Sequence, residues 1–555
     1  MDRDLTPAAP DRRRWLGLAM LSLGVAMIIV DATIVNVAIP SIIRTLNINL
    51  ADAEWINSIY ALVFAALLIT LGRVGDLMGR KRLFLSGLAV FVASSVFAGL
   101  APTGGLLILA RFLQGTGGAM ILPSTLSTVN ATFRGRERAI AFGIWGSVIG
   151  GMAAFGPLLG GWLTTDYSWR WAFFINVPIG LLAIVGGAVW VRESRDVNAR
   201  RGFDALGFVL VTAGLTALVF ALIEGQRYGW WRPEQPFGVA GWAWPLAGLS
   251  IIPFAIALAA LGLASFLLVE WRRLRAGRVV LADLRLFRLR SYRYGNLAAT
   301  IVSLGEFGMV FVLPLFLQAT LGYSAFRTGL LLMALAAGAF IGGPSAAALA
   351  HRFGARRVVT AGMALEAVAI GSLALLLGPS IGGLRLVPSL FVYGVGVGLA
   401  TAQLTSVILV EVPPAESGQA SGMQSTFRQV GSALGIAILG TVLAVSLGTQ
   451  TDRLLARDVP ALPAPQRAAV TRAVKSSAGQ VITELRAQPG NEAVVAAASE
   501  ALTEAARRAA EVAAGFVVLG FIASWLLPET GVPAEAPDDL EAERRRARQT
   551  APVDD

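Results

Sequence analysis

Apolar runs of about twenty residues, the length that crosses a bilayer as a helix, recur along almost the whole chain with only short polar breaks between them. With 55% of its 555 residues apolar and 15% charged, the chain cannot be a soluble multi-domain protein. Fourteen candidate spans lie at about 15–39, 55–72, 83–101, 105–130, 139–163, 172–191, 205–224, 245–269, 294–318, 328–350, 358–377, 386–410, 422–447 and 511–527. The expected fold class is therefore an all-α polytopic membrane protein.

The first run follows Arg12, Arg13 and Arg14 and so starts like a signal peptide, but it is too long and more spans follow it in place of a cleavage site. It is expected to be retained. The absence of cysteine removes disulfides and thiolate metal sites. A formal charge of +11 could suggest nucleic acid, yet the basic residues fall on alternate loops: Arg12–Arg14, Arg80–Arg82, Arg134–Arg138, Arg192–Arg201, Arg272–Arg293, Arg352–Arg357 and Arg544–Arg548. That alternation is the positive-inside bias. It implies a multi-pass protein of the cell membrane with both termini cytoplasmic, and no nucleic-acid partner.

Laid over itself at an offset of about 275–279 residues, the chain matches in three places. The first pairs Gly79 with Gly354, Lys81 and Arg82 with Arg356 and Arg357, and Gly87 with Gly362; the second pairs Gly115 with Gly394 and Gly117 with Gly396; the third pairs Glu137 with Glu416. Such internal symmetry is common in transporters. It divides the chain into an N-terminal six-helix bundle (1–193), an inserted pair of helices with a basic cytoplasmic linker (194–292), a C-terminal six-helix bundle (293–528) and a disordered cytoplasmic tail (529–555). An extracytoplasmic loop, 448–510, interrupts the second bundle; its Ala, Glu and Arg favour two short surface helices. Trp230, Trp231, Trp242 and Trp244, between the inserted helices, suit an interfacial anchor.

Asp31 lies in the first span with no cation beside it in that span. An ionised side chain at membrane depth costs about 2.5–3.5 kcal/mol even on the lenient insertion scale, so it must face a cavity, find a partner or carry a proton. The repeat places Glu306 at the corresponding position of the second half. At 1.5 Å per residue, Asp31 stands about 24 Å and Glu306 about 18 Å above the cytoplasmic ends of their spans. Glu366 is another mid-span acid, read as protonated or helix-paired; Arg428 could either snorkel or bind an acid at a gate. His351, the only histidine, stands where the repeat has Asp76 and reads as a loop residue.

The loop GRVGDLMGRKR holds Gly72, Asp76, Gly79, Arg80, Lys81 and Arg82, and a plain basic turn would have no need of Asp76. It resembles the loop signature of the major facilitator superfamily. RFLQGTGGA around Arg111 resembles that family's fourth-helix signature, and the run containing Gly156, Pro157, Gly160 and Gly161 resembles the fifth-helix signature of its exporters. DATIVNVAIP, WRWAFFINVPIG, PLFLQATLGYSAFRTGL and SGMQSTFRQVGSALGIAILGT are similar to the fourteen-spanner drug:proton antiporter branch, whose likeness covers about 15–447 and the last span. The resemblance implies that Asp76 latches onto the helix start at span 13 and that Arg111 faces a central cavity and serves proton coupling; without it, Arg111 could simply snorkel.

These readings converge on proton-coupled efflux of an amphipathic small molecule by alternating access, in a monomer whose other partners are membrane lipids. Asp31 is expected to be the principal proton carrier, Arg111 the cation that modulates it and Glu306 a second acid. Gly72, Asp76, Gly79, Arg80, Lys81, Arg82, Gly156, Pro157, Gly160 and Gly161 are expected to gate, and Asn36, Gln318, Tyr393 and Gln403 to line the substrate cavity. Asp31→Asn is expected to abolish efflux and leave the fold intact. No metal-ligand spacing, P-loop or dinucleotide fingerprint occurs, so neither an enzyme nor a cofactor is expected. Two alternatives stay open: export of a specific lipid, siderophore or biosynthetic product, and a non-transporting membrane sensor or scaffold.

Overall fold

The computed structural model describes residues 12–133, 135–195, 204–239, 242–246, 248–412 and 417–529. Seven helices come first: α1 (Arg12–Leu46), α2 (Leu50–Met78), α3 (Arg80–Leu100), α4 (Gly104–Thr132), α5 (Gly135–Asp166), the single turn α6 (Trp171–Phe174) and α7 (Asn176–Trp190). The next two, α8 (Ala205–Tyr228) and α9 (Ile252–Arg275), flank a small hairpin of β1 (Gly238–Val239) and β2 (Trp242–Ala243). Then follow α10 (Arg290–Ala319), α11 (Ala325–Phe353), α12 (Ala355–Leu376), α13 (Val387–Leu409), α14 (Ser417–Asp458), α15 (Ala464–Ser476), α16 (Val481–Arg486) and α17 (Glu492–Ser524).

Twelve described helical segments are long and apolar enough to cross a membrane. The other two expected spans, 139–163 and 511–527, are helical inside α5 and α17 but are not among those twelve. In α17 the apolar run is only the last part of a 33-residue helix whose earlier turns are rich in Ala, Glu and Arg. The two short helices expected in 448–510 are α15 and α16; α14 and α17 also run on into this region. Arg486 Nη2 donates to the Thr320 carbonyl at 2.9 Å, and Arg507 Nε to that of Leu377 at 2.8 Å, so this region satisfies the exposed ends of α10 and α12. The tail from 530 onward lies outside the described residues.

Local sequence explains where helices begin. Asn49 and Asp52 form a reciprocal cap at the start of α2, Thr103 caps α4, Asp204 caps α8 and Ser324 caps α11. Gly79 and Gly354 each close one helix and open the next, with φ of 121° and 87°, a conformation that L side chains rarely adopt.

The repeat recurs in three dimensions. A Cβ on Gly87 would sit 3.0 Å from the Gly117 carbonyl, and one on Gly362 would sit 2.9 Å from the Gly396 carbonyl, so α3–α4 and α12–α13 cross at the same paired glycines. Gly115 abuts the Tyr60 carbonyl as Gly394 abuts that of Leu335.

Among the described residues, two extensive helix pairs and a set of packed tips join the halves. α5 packs against α11, and α2 packs against α14, with α8 wedged beside that second joint. At the end opposite the basic loops, the tips of α1 and α10 share one continuous core with parts of α5, α11 and α17. There Gln318 Nε2 donates to the Val37 carbonyl at 3.0 Å, and the Phe326 amide to Thr165 Oγ1 at 2.9 Å.

Candidate functional site

Asp31 is 0% exposed and Arg111 1%, and the two form an ion pair inside the first half, between α1 and α4. The sequence left this acid unpaired because its partner lies 80 residues away on another helix. The carboxylate is held on both oxygens: Arg111 Nη1 donates to Oδ2, while Asn176 Nδ2 and Gln114 Nε2 donate to Oδ1 at 2.8 and 3.1 Å. Gln114 Nε2 also reaches Ser95 Oγ at 2.8 Å. Arg111 in turn gives Nε to the Ile56 carbonyl at 3.1 Å and lies 4.2 Å over the Tyr60 ring. Helices α1, α2, α3, α4 and α7 thus each supply one wall of a closed polar knot that encloses Asp31.

The second half builds its acid site differently. Glu306 sits across from Arg428 at 4.0 Å, with side-chain exposures of 14% and 29%, and both line a small cleft with Ser303, Thr401, Thr405 and Gln424. Tyr393, at the repeat position of Gln114, donates its hydroxyl to the Glu306 carbonyl at 3.2 Å. Glu366 is fully buried on α12, and neither of its carboxylate oxygens has a hydrogen-bond partner among the described residues. An ionised carboxylate in such surroundings costs several kcal/mol. Glu306 is therefore the acid open to a cleft, and Asp31 the one sealed by partners.

Of the expected gating residues, the glycines do the closest packing. On α5, Gly156 faces Thr33 of α1, a Cβ at Gly160 would lie 2.7 Å from Ile34, and one at Gly161 would lie 2.6 Å from the Ala325 carbonyl of α11. Pro157 lies against Gly329 of α11. One face of α5 thus touches the first half and another the second. In the loop, the Lys81 amide donates to Glu193 Oε1 at 3.1 Å and Arg82 Nε lies 3.8 Å from Oε2. Arg80 Nη1 donates to the Ser127 carbonyl at 3.3 Å, and Gly72 packs on Pro123. These contacts all stay within the first half. The Asp76 side chain and residues 413–416 lie outside what the structure describes, so the expected latch does too.

The four expected cavity residues lie on α1, α10 and α13, and Gln318 reaches the carbonyl of Val37, next to Asn36. Asn36 accepts from Asn57 Nδ2 at 2.9 Å between α1 and α2, Gln318 ties the two halves together, Tyr393 is wholly buried, and Gln403 lies ten residues further along α13. Sequence reasoning missed Gln114, Asn176, Ser95 and Tyr60. Gln114 stands one turn from Arg111, and a search for polar residues at that spacing would have found it; the other three lie on separate helices and carry no such signal.

A family model described as Major Facilitator Superfamily matches residues 21–436. A probable actinorhodin transporter of Streptomyces coelicolor is 36% identical over 80% of this chain and 74% of its own length. The tetracenomycin C resistance and export protein of Streptomyces glaucescens is 33% identical over 85% and 84%, and the multidrug resistance protein Stp of Mycobacterium tuberculosis 32% identical over 93% and 92%. Among solved structures, a bacterial homologue of the human lysosomal transporter Spinster, in an inward-facing and unoccupied conformation, superimposes with a TM-score of 0.58 at 18% identity, covering 95% of this chain and all of that one. The match across these spans and the identity with these relatives lead to one conclusion: the chain belongs to the Major Facilitator Superfamily.

Proposed function

We propose that this protein is a proton-coupled exporter of amphipathic small molecules that works by alternating access. The observation that carries the reading is the Asp31–Arg111 pair, an acid and a cation in direct contact at membrane depth, with Gln114 bonded to both and Asn176 to the carboxylate. A proton arriving on Asp31 would neutralise the acid and release the guanidinium to other partners. Such an exchange can bias a two-state bundle because it changes the free energy of one arrangement against the other. The relatives' names, which include multidrug resistance and export, support the direction of transport.

In this reading the fourteen spans form two six-helix bundles, 1–193 and 293–528, with the inserted pair between them and both termini in the cytoplasm. The packed tips of α1, α5, α10 and α11 then form the outer gate, closed in this arrangement. Glu306 and Arg428 flank a small cleft that would have to widen, as the halves rock, for a cationic substrate to reach Glu306. The protein works as a monomer in the cell membrane.

A second reading, export of one specific biosynthetic product, is favoured by the two Streptomyces relatives named for actinorhodin and tetracenomycin C. The test is a transport screen in proteoliposomes, with an imposed proton gradient, across cationic, neutral and lipid-like compounds together with actinorhodin and tetracenomycin C. Gradient-driven movement of several unrelated cations supports multidrug efflux; movement of a single class supports the second reading. No gradient-driven movement of any compound, with binding intact, leaves the sensor or scaffold alternative.

A further inference from the structure

The inserted helix α8 does more than fill space beside the α2–α14 joint. Its Glu224, 6% exposed, accepts from Trp55 Nε1 at 3.0 Å, and Trp55 is the neighbour of Glu54 on α2. Glu54 is 2% exposed, and its Oε2 has no hydrogen-bond partner among the described residues; the same holds for Oε2 of Glu224. Trp55, one residue along α2 from Glu54, thus ties the two buried acids together across α2 and α8. From the third side comes α14: Gly440 packs directly on the Glu54 carboxylate, so that even a methyl group there would overlap it, and Thr441 Oγ1 donates to the Leu222 carbonyl of α8 at 2.9 Å. Helices from the first half, the second half and the insert therefore meet at one pair of buried acids.

The other charged and titratable groups facing the pair are few. Asp52 on α2 adds negative charge, Arg227 of α8 approaches Glu224 Oε2 at 3.9 Å from a position 42% exposed, and Tyr228 lies beyond it. From α14 the facing residues are Gly440 and Thr441. Two buried carboxylates with a single, half-exposed cation beside one of them do not both stay ionised. Glu54 is four residues from the start of α2, about 6 Å below the end opposite the basic loops, so a small opening between α2 and α14 would wet it.

We propose that Glu54 and Glu224 bind one proton between them while α2, α8 and α14 are packed together, and that parting of α2 from α14 lets this proton exchange with the aqueous side. The inserted pair then gives the transporter a proton site of its own at the cross-half joint, separate from the Asp31–Arg111 knot. This rests on the proton-coupled reading above for its use in transport, but binding of the proton is measurable without any substrate.

Infrared spectroscopy of the purified full chain in nanodiscs, titrated from acid to alkaline pH, counts protonated carboxyl groups. Glu54→Gln and Glu54→Gln/Glu224→Gln, which keep shape and hydrogen-bonding capacity, are each expected to lose one protonated carboxyl at neutral pH relative to wild type. An unchanged count in both variants would overturn the proposal. Cysteines at Ser58 and Ala433, whose side chain and carbonyl lie 3.4 Å apart across α2 and α14, can be bridged by a short thiol cross-linker, since the chain has no cysteine of its own. Cross-linking should slow the deuterium shift of that carboxyl band at least tenfold after transfer to heavy water; an unchanged rate would show that the joint does not gate the proton. A wild type that moves no compound with the gradient, yet keeps the extra protonated carboxyl, would sink the transport reading and leave this site standing.

Discussion

Asp31 shows how pairing changes the meaning of a charge. From sequence alone, Asp31→Asn removes a lone acid and spares the fold; in the structure it leaves Arg111 buried beside Tyr60 without its carboxylate. Breaking a buried pair from one side costs about 3–5 kcal/mol. Asp31→Asn is therefore expected to lower the thermal unfolding midpoint as well as stop efflux, whereas Asp31→Asn/Arg111→Gln should recover most of the midpoint and none of the gradient-driven transport. Melting curves of the two variants in detergent, read beside proteoliposome rates, check this; equal midpoints would show that the pair is structurally silent. Glu306 differs in being partly exposed, with Arg428 4.0 Å away. Glu306→Gln should cost little stability and slow cationic compounds several-fold more than neutral ones, and competition transport assays with both classes separate the outcomes. The charged members of both sites were legible because an Asp, Glu or Arg stands out in an apolar run. Their neutral partners were not: Asn176 and Ser95 carry no charge, and only the folded chain brings Asn176 within reach of Asp31, 145 positions away, and of Ser95, 81 positions away. Glu54 and Glu224 escaped notice for another reason, since acids near helix ends read as interfacial.

At the scale of elements, glycine spacing carried most of what the sequence disclosed. The offset between the halves was visible because the turns at Gly79 and Gly354 require positive φ and the crossings at Gly87–Gly117 and Gly362–Gly396 require the absence of a side chain, so the same residue recurs at the same place in both copies. What the pattern did not disclose was the neighbour each glycine serves. Gly156 and Gly160 of α5 face α1 within their own half, while Gly161 faces α11 of the other. Gly160→Leu should therefore destabilise the first half, with a loss of expression and a lower melting midpoint. Gly161→Leu should leave the halves folded but prevent α5 and α11 from closing, so transport falls at least tenfold while the midpoint changes much less. Parallel melting and transport measurements distinguish the two; matching losses of stability would refute the division of labour along α5.

For the whole molecule, function depends on whether the two halves part at one end as they close at the other. At the closed end, the hydrogen bonds that oppose parting among the described residues are those of Gln318 to the Val37 carbonyl and of the Phe326 amide to Thr165, added to the shared apolar core of the helix tips. A few hydrogen bonds, each worth about 0.5–1.5 kcal/mol net, can be given up when a proton redistributes charge inside a half; a larger polar interface would hold the molecule in one state. The absence of cysteine makes the idea directly testable. Thr165→Cys and Phe326→Cys place two thiols on α5 and α11 beside a contact where side chain and backbone already touch at 2.9 Å, so that a disulfide or a short thiol cross-link can join the two helices. Oxidation should fix the gate shut and abolish gradient-driven efflux, and reductant should restore it; substrate binding from the basic-loop side should survive oxidation, because the lock lies at the other end. Transport that continues through the oxidised state would mean that α5 and α11 need not separate, and alternation would then have to occur through some other pair of helices.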